Sequence, residues 1–303
     1  MSKTSPPTPQ ATNMAEVLKR SGTGQIGLPR RALGRTGLVA PVLGFGLSGA
    51  LATPFVGKNL VTQLIRNAAL HGVEFFDTAP FYGDGRAEYR LGQVLSSMPG
   101  RCALISTKGG TRRVGRRLVK DFSLEGLRHQ LEESRTRLPR IDAFFLHGPS
   151  SSQLTRELID GLLQLQAKGY FRYLGMAGRG SELDTAINTG AFDLIMAPAY
   201  KNLSPDELDR LEHARVSGLG VIGIECLAPA ARGARLSLRP ADLWYTARAI
   251  MRDRPSRDAS ANGPSAEDCL RWTLNSGLVD IAMITTTRPE NLTANVAAAR
   301  TCG

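Results

Sequence analysis

Residues 73–83 read Val73-Glu74-Phe75-Phe76-Asp77-Thr78-Ala79-Pro80-Phe81-Tyr82-Gly83. The first four form a short β-rich apolar run, typical of a buried strand, and the proline and glycine further on indicate a loop. Asp77 therefore lies just past a strand end, with Tyr82 in the same loop. Two further strand-like runs end in the same way, one at Lys108 and the other at His147.

Strand-like runs alternate with helical patterns along the chain, at the ~30–40-residue interval of a βαβ unit. The strand-like runs are 42–47, 73–76, 102–107, 141–146, 171–176, 193–197, 219–224 and 280–284, and the helical patterns are 58–70, 86–97, 123–138, 154–167, 181–190, 204–216, 240–276 and 288–299. This alternation predicts an α/β fold, a single-domain (β/α)8 TIM barrel over residues 31–303. Residues 1–30 are predicted to be a flexible N-terminal arm, and Asp253–Ser260 a mobile loop near the active face.

A rival interpretation rests on residues 44–49, which match the GxGxxG pattern of an open dinucleotide-binding sheet. That fold expects an acidic residue about 20 positions further on, yet Asp77 lies 28 residues after Gly49. The helix would also start late, after Pro54 and Gly57. The barrel is therefore the favoured fold.

The residues just past the strand ends carry complementary chemistry. All strand ends of a parallel barrel open on one face, so Asp77, Tyr82, Lys108 and His147 are predicted to meet there. A lysine ammonium lowers the pKa of a nearby tyrosine from about 10, because it favours the phenolate. An aspartate can hold that ammonium in place, and a histidine can orient a carbonyl oxygen. Each residue alone fits a structural ion pair or a loop aromatic, but together they predict a proton-transfer site.

The composition excludes several classes of protein. Apolar residues make up 42% and charged residues 21% of the 303 residues, as in soluble globular proteins. No stretch approaches the ~20 apolar residues that span a bilayer, and residues 1–20 lack the apolar core of a secretory signal. We therefore expect a cytoplasmic protein with no membrane association. The four cysteines are far apart and form no CxxC pair, so no disulfide framework and no metal site are expected.

The chain is basic, with a formal net charge of +11. Such a balance favours anionic ligands such as phosphates, and also weak nonspecific nucleic-acid binding. Aromatic residues make up 6%, and none interleave the basic clusters to form a stacking platform. We expect a solvated basic surface and no specific nucleic-acid partner. Binding through the arm would be salt-dependent and lost on deleting residues 1–30. The clusters are Lys19, Arg20, Arg30, Arg31 and Arg35 near the front, and Arg112, Arg113, Arg116, Arg117 and Lys120 after Lys108.

Three motifs in this order resemble the aldo-keto reductases. They are residues 75–83, Ile105-Ser106-Thr107-Lys108 and Leu146-His147-Gly148-Pro149, and the similarity extends from about Leu33 to Ala299. That family folds as a (β/α)8 barrel and transfers hydride between NADPH and aldehydes or ketones. The resemblance implies NADPH/NADP+ as cofactor and a small-molecule carbonyl substrate. It also implies Tyr82 as proton donor, tuned by Lys108 and Asp77, with His147 positioning the carbonyl.

The same resemblance implies a set of cofactor-binding residues. Hydroxyls and backbone amides at a helix start suit a phosphate, and the Arg288 guanidinium can grip a 2′-phosphate as a fork. The segment around Arg288 can equally be read as an ordinary helix start. The implied residues are Gly46, Leu47, Asp77, Met196, Thr286, Thr287, Arg288, Asn291 and Asn295.

The chain departs from the family where the nicotinamide carboxamide would bind. The family has Ser-Asn after its fifth strand and Gln in its sixth, whereas this chain has Ala177-Gly178 and Met196. Each lost hydrogen bond is worth about 0.5–1.5 kcal/mol. Leu227 replaces a ring-stacking aromatic. The alternative function is therefore a barrel with altered or lost nicotinamide binding, acting as a lyase, dehydratase, isomerase or non-catalytic binding protein. Substrate identity and oligomeric state are left open.

Overall fold

The computed structural model describes residues 27–100, 103–115, 117–230, 239–251 and 263–302. Most of the predicted arm, residues 1–26, lies outside the described residues, as does the predicted loop at Asp253–Ser260. Arg30, the last residue assigned to the arm, is instead the first residue of a strand.

The described residues contain strands and helices in close alternation. The strands are β1 (Arg30–Ala32), β2 (Val39–Pro41), β3 (Leu43–Gly46), β4 (Phe75–Asp77), β5 (Leu104–Gly109), β6 (Thr111–Val114), β7 (Arg117–Lys120), β8 (Ala143–His147), β9 (Tyr173–Ala177), β10 (Leu194–Pro198), β11 (Gly220–Ile224) and β12 (Ile281–Ile284). The helices are α1 (Lys58–Leu70), α2 (Arg86–Ser96), α3 (Leu124–Arg137), α4 (Arg156–Ala167), α5 (Ser181–Thr189), α6 (Pro205–Val216), α7 (Pro240–Met251), α8 (Ala266–Asn275) and α9 (Pro289–Arg300).

Eight of the strands close into a parallel barrel, and β12 pairs with β3 to complete the ring. Each predicted strand run overlaps one barrel strand, so the predicted (β/α)8 barrel is confirmed. The predicted helical pattern over 240–276 contains α7 and α8, and residues 252–262 of that range lie outside the described residues. Among the described helices, none combines the length and apolar character needed to cross a bilayer.

Alternation along the strands separates two hydrophobic layers. Phe75, Phe145 and Met196 are buried inside the barrel, whereas Phe76 and Phe144 belong to the layer between barrel and helices. Side chains two residues apart in a strand point to the same face. Asp77 and His147, two residues after Phe75 and Phe145, therefore point into the open end of the barrel, where β4 and β8 finish.

The β1–β2 hairpin closes the opposite end of the barrel. Leu33, just after β1, is buried against the barrel interior. Arg35 donates to the Gly190 carbonyl oxygen at 2.8 Å, and Arg31 donates to the Leu274 carbonyl oxygen at 2.6 Å. Part of the basic cluster at the front of the chain therefore binds carbonyl oxygens of the fold.

Aspartates that precede barrel strands cap the backbone of the neighbouring strand. Each carboxylate accepts a hydrogen bond from a buried or partly buried backbone N–H that would otherwise lie at the end of a ladder. The contacts are Asp142 with Ile105 N at 2.8 Å, Asp193 with Leu174 N at 2.9 Å and Asp280 with Val221 N at 2.8 Å.

Replacing one of these aspartates tests their contribution to stability. Asp280 also pairs with Arg215 at 2.7 Å, so Asp280→Ala leaves a buried N–H and a cation without partners. We expect the free energy of unfolding to fall by about 2–3 kcal/mol in urea denaturation. Asp160→Ala, which removes an exposed helix pair with Arg156 at 3.7 Å, should change it by less than about 0.5 kcal/mol. Equal losses in the two variants would contradict the capping role.

Candidate active site

The open end of the barrel holds a buried ion pair between neighbouring strands. Asp77 is the last residue of β4 and Lys108 lies near the end of β5. Both carboxylate oxygens of Asp77 accept hydrogen bonds from the Lys108 ammonium. The ammonium also donates to the Thr78 carbonyl oxygen at 3.0 Å, and the Ser106 hydroxyl donates to Asp77 at 2.7 Å. The lysine is thereby fixed in position at the barrel mouth.

Tyr82 and His147 lie against this ion pair. The Lys108 nitrogen is 5.0 Å from the centre of the Tyr82 ring. The Tyr82 and His147 rings are 6.0 Å apart between centroids and meet edge to face at 89°. The structure therefore brings together the four side chains that the strand ends predicted.

The pKa of the Tyr82 phenol is raised above its usual value of 10.0. Burial is the largest cause; Lys108 lowers the pKa and Asp77 raises it. The sequence led us to expect that the ammonium would favour the phenolate. That contribution is present, but burial outweighs it, so the phenol keeps its proton at neutral pH.

Lys108 keeps its charge despite burial. Burial lowers the pKa of the ammonium, but the Asp77 carboxylate and Tyr82 together outweigh it, and the pKa is raised above 10.5. A cation therefore faces the phenol over the whole neutral range.

His147 is neutral in this environment. Burial, followed by the charges of Lys108, Arg179 and Lys120, lowers the pKa of the imidazole to about 3. A neutral imidazole can donate one hydrogen bond to a carbonyl or alkoxide oxygen, but it is not a source of net positive charge.

A buried carboxylate behind the site supports β5. Glu88 on α2 is fully buried and accepts from the Thr107 hydroxyl at 2.6 Å, next to Lys108. Ser134 and Arg137 on α3 bind the same carboxylate at 2.7 and 2.9 Å. Sequence reasoning missed this group, because an acidic residue in the first turn of a helix is usually a solvated one.

One wall of the opening is the β6–β7 hairpin, which the sequence analysis did not foresee. Thr111 donates to the His147 carbonyl oxygen at 3.0 Å, and Lys120 donates to the Gly148 carbonyl oxygen at 2.6 Å. The turn signal was Gly115, whose φ of 61° suits glycine. The hairpin therefore places part of the second basic cluster at the edge of the site.

A groove of about 580 Å³ lies beside the cluster of Asp77, Lys108, Tyr82 and His147, between this hairpin and α3. Its arginines face acids: Arg112 is 3.9 Å from Asp121, and Arg113 is 3.9 Å from Asp84. The positive and negative charges of the side chains that line the groove therefore nearly cancel.

The predicted phosphate segment forms the start of α9. Pro289 is the first helical residue, and no side chain caps this end of the helix. Thr286 and Thr287 are buried beside it. Thr285 donates to the Gly46 carbonyl oxygen at 3.0 Å, which ties this segment to the end of β3.

The guanidinium of Arg288 already has an acidic partner. Its nitrogen lies 2.7 Å from the Asp242 carboxylate on α7, and a second carboxylate, Glu290, is 4.0 Å away. Asp242 was missed because it lies 46 residues earlier in the chain. A phosphate at Arg288 must therefore compete with Asp242.

The other residues implied by resemblance differ in how accessible they are. The Leu47 and Met196 side chains are buried, with 0% and 1% of their surface exposed. The Leu47 backbone N–H donates to the Asp77 carbonyl oxygen at 2.9 Å, and Met196 belongs to the barrel interior. On α9, Asn295 is buried and Asn291 is exposed. In the part of the chain that the structure describes, no group of three or more His, Cys, Asp or Glu side chains is arranged to hold a metal ion.

Curated relatives of this chain are named as dehydrogenases. L-Galactose dehydrogenase of Arabidopsis thaliana is 32% identical over 65% of this chain and 65% of its own length. Pyridoxal 4-dehydrogenase of Microbacterium luteolum is 28% identical over 88% of this chain and 92% of its own length. D-threo-aldose 1-dehydrogenase of a Pseudomonas species is 26% identical over 87% and 91%.

A solved structure shares the fold. An aldo-keto reductase of Bacillus halodurans, in its holo form, superposes with a TM-score of 0.72 at 20% identity, over 89% of this chain and 90% of its own. The sequence profile of the Aldo/keto reductase family matches residues 42–301. This match spans every barrel strand and all four side chains of the proton-transfer cluster. The chain belongs to the aldo/keto reductase family.

Proposed function

We propose that this protein is an NADP(H)-dependent oxidoreductase that interconverts a carbonyl and an alcohol on a small polar molecule. The observation that carries the proposal is the cluster of Asp77, Lys108, Tyr82 and His147 in the barrel mouth. A bound nicotinamide dinucleotide supplies the hydride. The protein supplies the proton, the orientation of the substrate and the electrostatic stabilisation of the oxygen.

Tyr82 is the proton donor in this proposal. Its phenol is protonated at neutral pH because burial raises its pKa. As negative charge develops on the carbonyl oxygen, Tyr82 gives up its proton, and the adjacent Lys108 ammonium stabilises the phenolate that remains. Asp77 holds the ammonium at the correct position. The neutral His147 imidazole donates a hydrogen bond to the same oxygen and sets the carbonyl beside the phenol.

The residues at the start of α9 fit a nucleotide phosphate. The helix start has no side-chain cap, so its first-turn amides can face an anion. Arg288 offers a planar fork to a 2′-phosphate, which has to displace Asp242. Gly46, at the end of β3, lets this segment pack close to the strand, because a Cβ there would lie 2.9 Å from the Thr285 hydroxyl oxygen.

The names of the relatives suggest the substrate class and direction. Two of the three are named for aldoses and one for pyridoxal. We therefore propose that a sugar or a related hydroxylated aldehyde is the substrate. NADP+ would oxidise the C1 hydroxyl of its hemiacetal form to a lactone carbonyl, and NADPH would reduce its open-chain aldehyde to the alcohol. An isothermal titration with NADPH separates this proposal from a barrel without hydride transfer. Micromolar binding is expected, and absence of binding at millimolar cofactor would rule out the oxidoreductase.

The Tyr82→Phe variant tests the proton donor. Removing the hydroxyl should lower kcat by about 10²–10⁴-fold, as expected for loss of a positioned acid, while NADPH affinity stays the same. The measurement is steady-state turnover alongside cofactor titration. Tyr89→Phe, at an exposed position on α2, is the matched control and should retain full activity. Unchanged turnover in Tyr82→Phe would refute the assignment.

The protonation state of His147 can be measured directly. Since its pKa is lowered to about 3, the imidazole should stay neutral from pH 8 down to pH 5. Side-chain NMR of the histidines should therefore contain one set of signals that does not shift over this range. His147→Asn identifies that set by removing it. A His147 signal that titrates near pH 6.5 would contradict the buried, cation-flanked environment.

Arg288 and Asp242 should determine how much more tightly the protein binds NADPH than NADH. Arg288→Ala should weaken NADPH by about tenfold or more and leave NADH nearly unchanged, because only NADPH carries the 2′-phosphate. Asp242→Asn removes the competing carboxylate and should strengthen NADPH binding relative to NADH. Glu290→Gln, which changes a more distant and exposed carboxylate, should have a smaller effect. Equal losses for both cofactors in Arg288→Ala would place the 2′-phosphate elsewhere.

A further inference from the structure

An ion pair spans the ends of two barrel strands that are not neighbours. Arg179, two residues after β9, pairs with Glu225, the residue after β11. Because β10 pairs with both β9 and β11, the ion pair crosses over the end of β10. It therefore lies on the same face of the barrel as Tyr82 and His147.

The backbone on both sides of this pair is held in place. The Glu182 carboxylate accepts hydrogen bonds from the Arg179 N–H at 2.7 Å and the Gly180 N–H at 3.0 Å. Gly178 has no room for a side chain, because a Cβ there would overlap the Glu182 carboxylate. Glu225 has a φ of 57°, a left-handed conformation that costs an ordinary side chain about 1 kcal/mol or more. Strained residues of this kind cluster at functional sites.

The strands beneath the pair offer no polar side chain to a ligand. The inward positions nearest the mouth on β9 and β10 are Ala177, Met196 and Pro198. Arg179 and Glu225 side chains, in contrast, are 63% and 39% exposed. They are exposed polar groups above these strands.

The pair lies near the side chains proposed to transfer the proton. The phosphate segment lies beside β12, and the proton-transfer groups lie on β4, β5 and β8 and in the loop after β4. In the ring of strands, β9, β10 and β11 lie between β8 and β12. On the other side of the ring, only β3 separates β12 from β4. The charge of Arg179 acts to lower the pKa of both Tyr82 and His147, so a reactive ring held beside these two side chains lies near the pair.

The chemistry of the pair is complementary to a primary carboxamide. A carboxamide has one oxygen that accepts and one amino group that donates, while a guanidinium donates and a carboxylate accepts. We propose that the Arg179–Glu225 pair binds the nicotinamide carboxamide of the cofactor. Arg179 donates to the carboxamide oxygen and Glu225 accepts from the amino group. This inference rests on the proposed function. The pair would supply the hydrogen bonds to the carboxamide that Ala177, Gly178 and Met196 cannot make.

Calorimetric titration with two ligands tests the proposal. NADP+ carries the carboxamide, whereas 2′-phospho-ADP-ribose lacks the nicotinamide. We expect Arg179→Met and Glu225→Asn to weaken NADP+ about tenfold and to leave 2′-phospho-ADP-ribose unchanged. Asparagine is chosen because it tolerates the left-handed backbone and is too short to replace the glutamate. Arg271→Met, which breaks an Arg–Glu pair of 2.8 Å on α8, is the matched control and should change neither affinity.

Two further measurements separate carboxamide binding from a structural role. The 3-acetylpyridine analogue of NADP+ has a methyl group in place of the amino group, so Glu225→Asn should weaken it much less than NADP+. Exchanging the partners, Arg179→Glu with Glu225→Arg, should restore NADP+ affinity above that of either single variant, because a carboxamide can rotate by half a turn.

These experiments distinguish a failure of the carboxamide inference from a failure of the proposed function. If the unaltered protein binds no dinucleotide, both the function and this inference fall. If it binds NADP+ and the variants bind it equally well, only this inference is overturned. Equal losses for NADP+ and 2′-phospho-ADP-ribose, or a raised KM for the carbonyl substrate with unchanged NADP+ affinity, would also overturn it.

Discussion

The site depends on the buried ion pair between Asp77 and Lys108. Taking two charges out of water costs several kcal/mol per ion, which the attraction between them and the added hydrogen bonds must offset. Here the extra partners are Ser106 on the carboxylate and the Thr78 carbonyl on the ammonium. Removing either charge would leave the other buried and unpaired, at a typical loss of about 3–5 kcal/mol. The pair therefore fixes the strand ends and holds a permanent cation beside Tyr82.

The part of the mouth proposed to donate the proton and the part proposed to bind the cofactor differ in burial. On β4 and β5, Asp77 and Lys108 are buried and held by several partners, with Glu88 behind β5. Beyond them, the candidate cofactor groups are in exposed or partly exposed ion pairs, Arg288 with Asp242 and Arg179 with Glu225. Surface pairs of this kind are weak, so a phosphate can displace Asp242 from Arg288 at little cost, and Arg179 and Glu225 can turn toward a bound carboxamide. This difference suits a fixed acid working with a cofactor that must enter and leave.

Much of the fold could be predicted from the sequence because its signals are local. Alternating apolar runs and helical stripes located all eight barrel strands, and position just past a strand end was enough to group Asp77, Tyr82, Lys108 and His147. The features that could not be predicted from the sequence depend on contacts between residues far apart in the chain. The Asp242–Arg288 pair joins residues 46 positions apart, and the Arg179–Glu225 pair has the same separation. The rise in the pKa of Tyr82 also could not be predicted, because it is set by burial of the phenol in the folded structure. The β6–β7 hairpin was missed since its arginine-rich strands have no apolar face.

In the proposed reaction, hydride arrives at a carbonyl held between Tyr82 and His147. The most direct measurement follows deuterium from NADPH labelled at the nicotinamide C4 position into an aldose or hydroxylated aldehyde, using mass spectrometry of the product alcohol. The account predicts one deuterium on the former carbonyl carbon, transferred from only one of the two C4 stereoisomers of the labelled cofactor. A product without deuterium, formed while the labelled cofactor is bound, would contradict it.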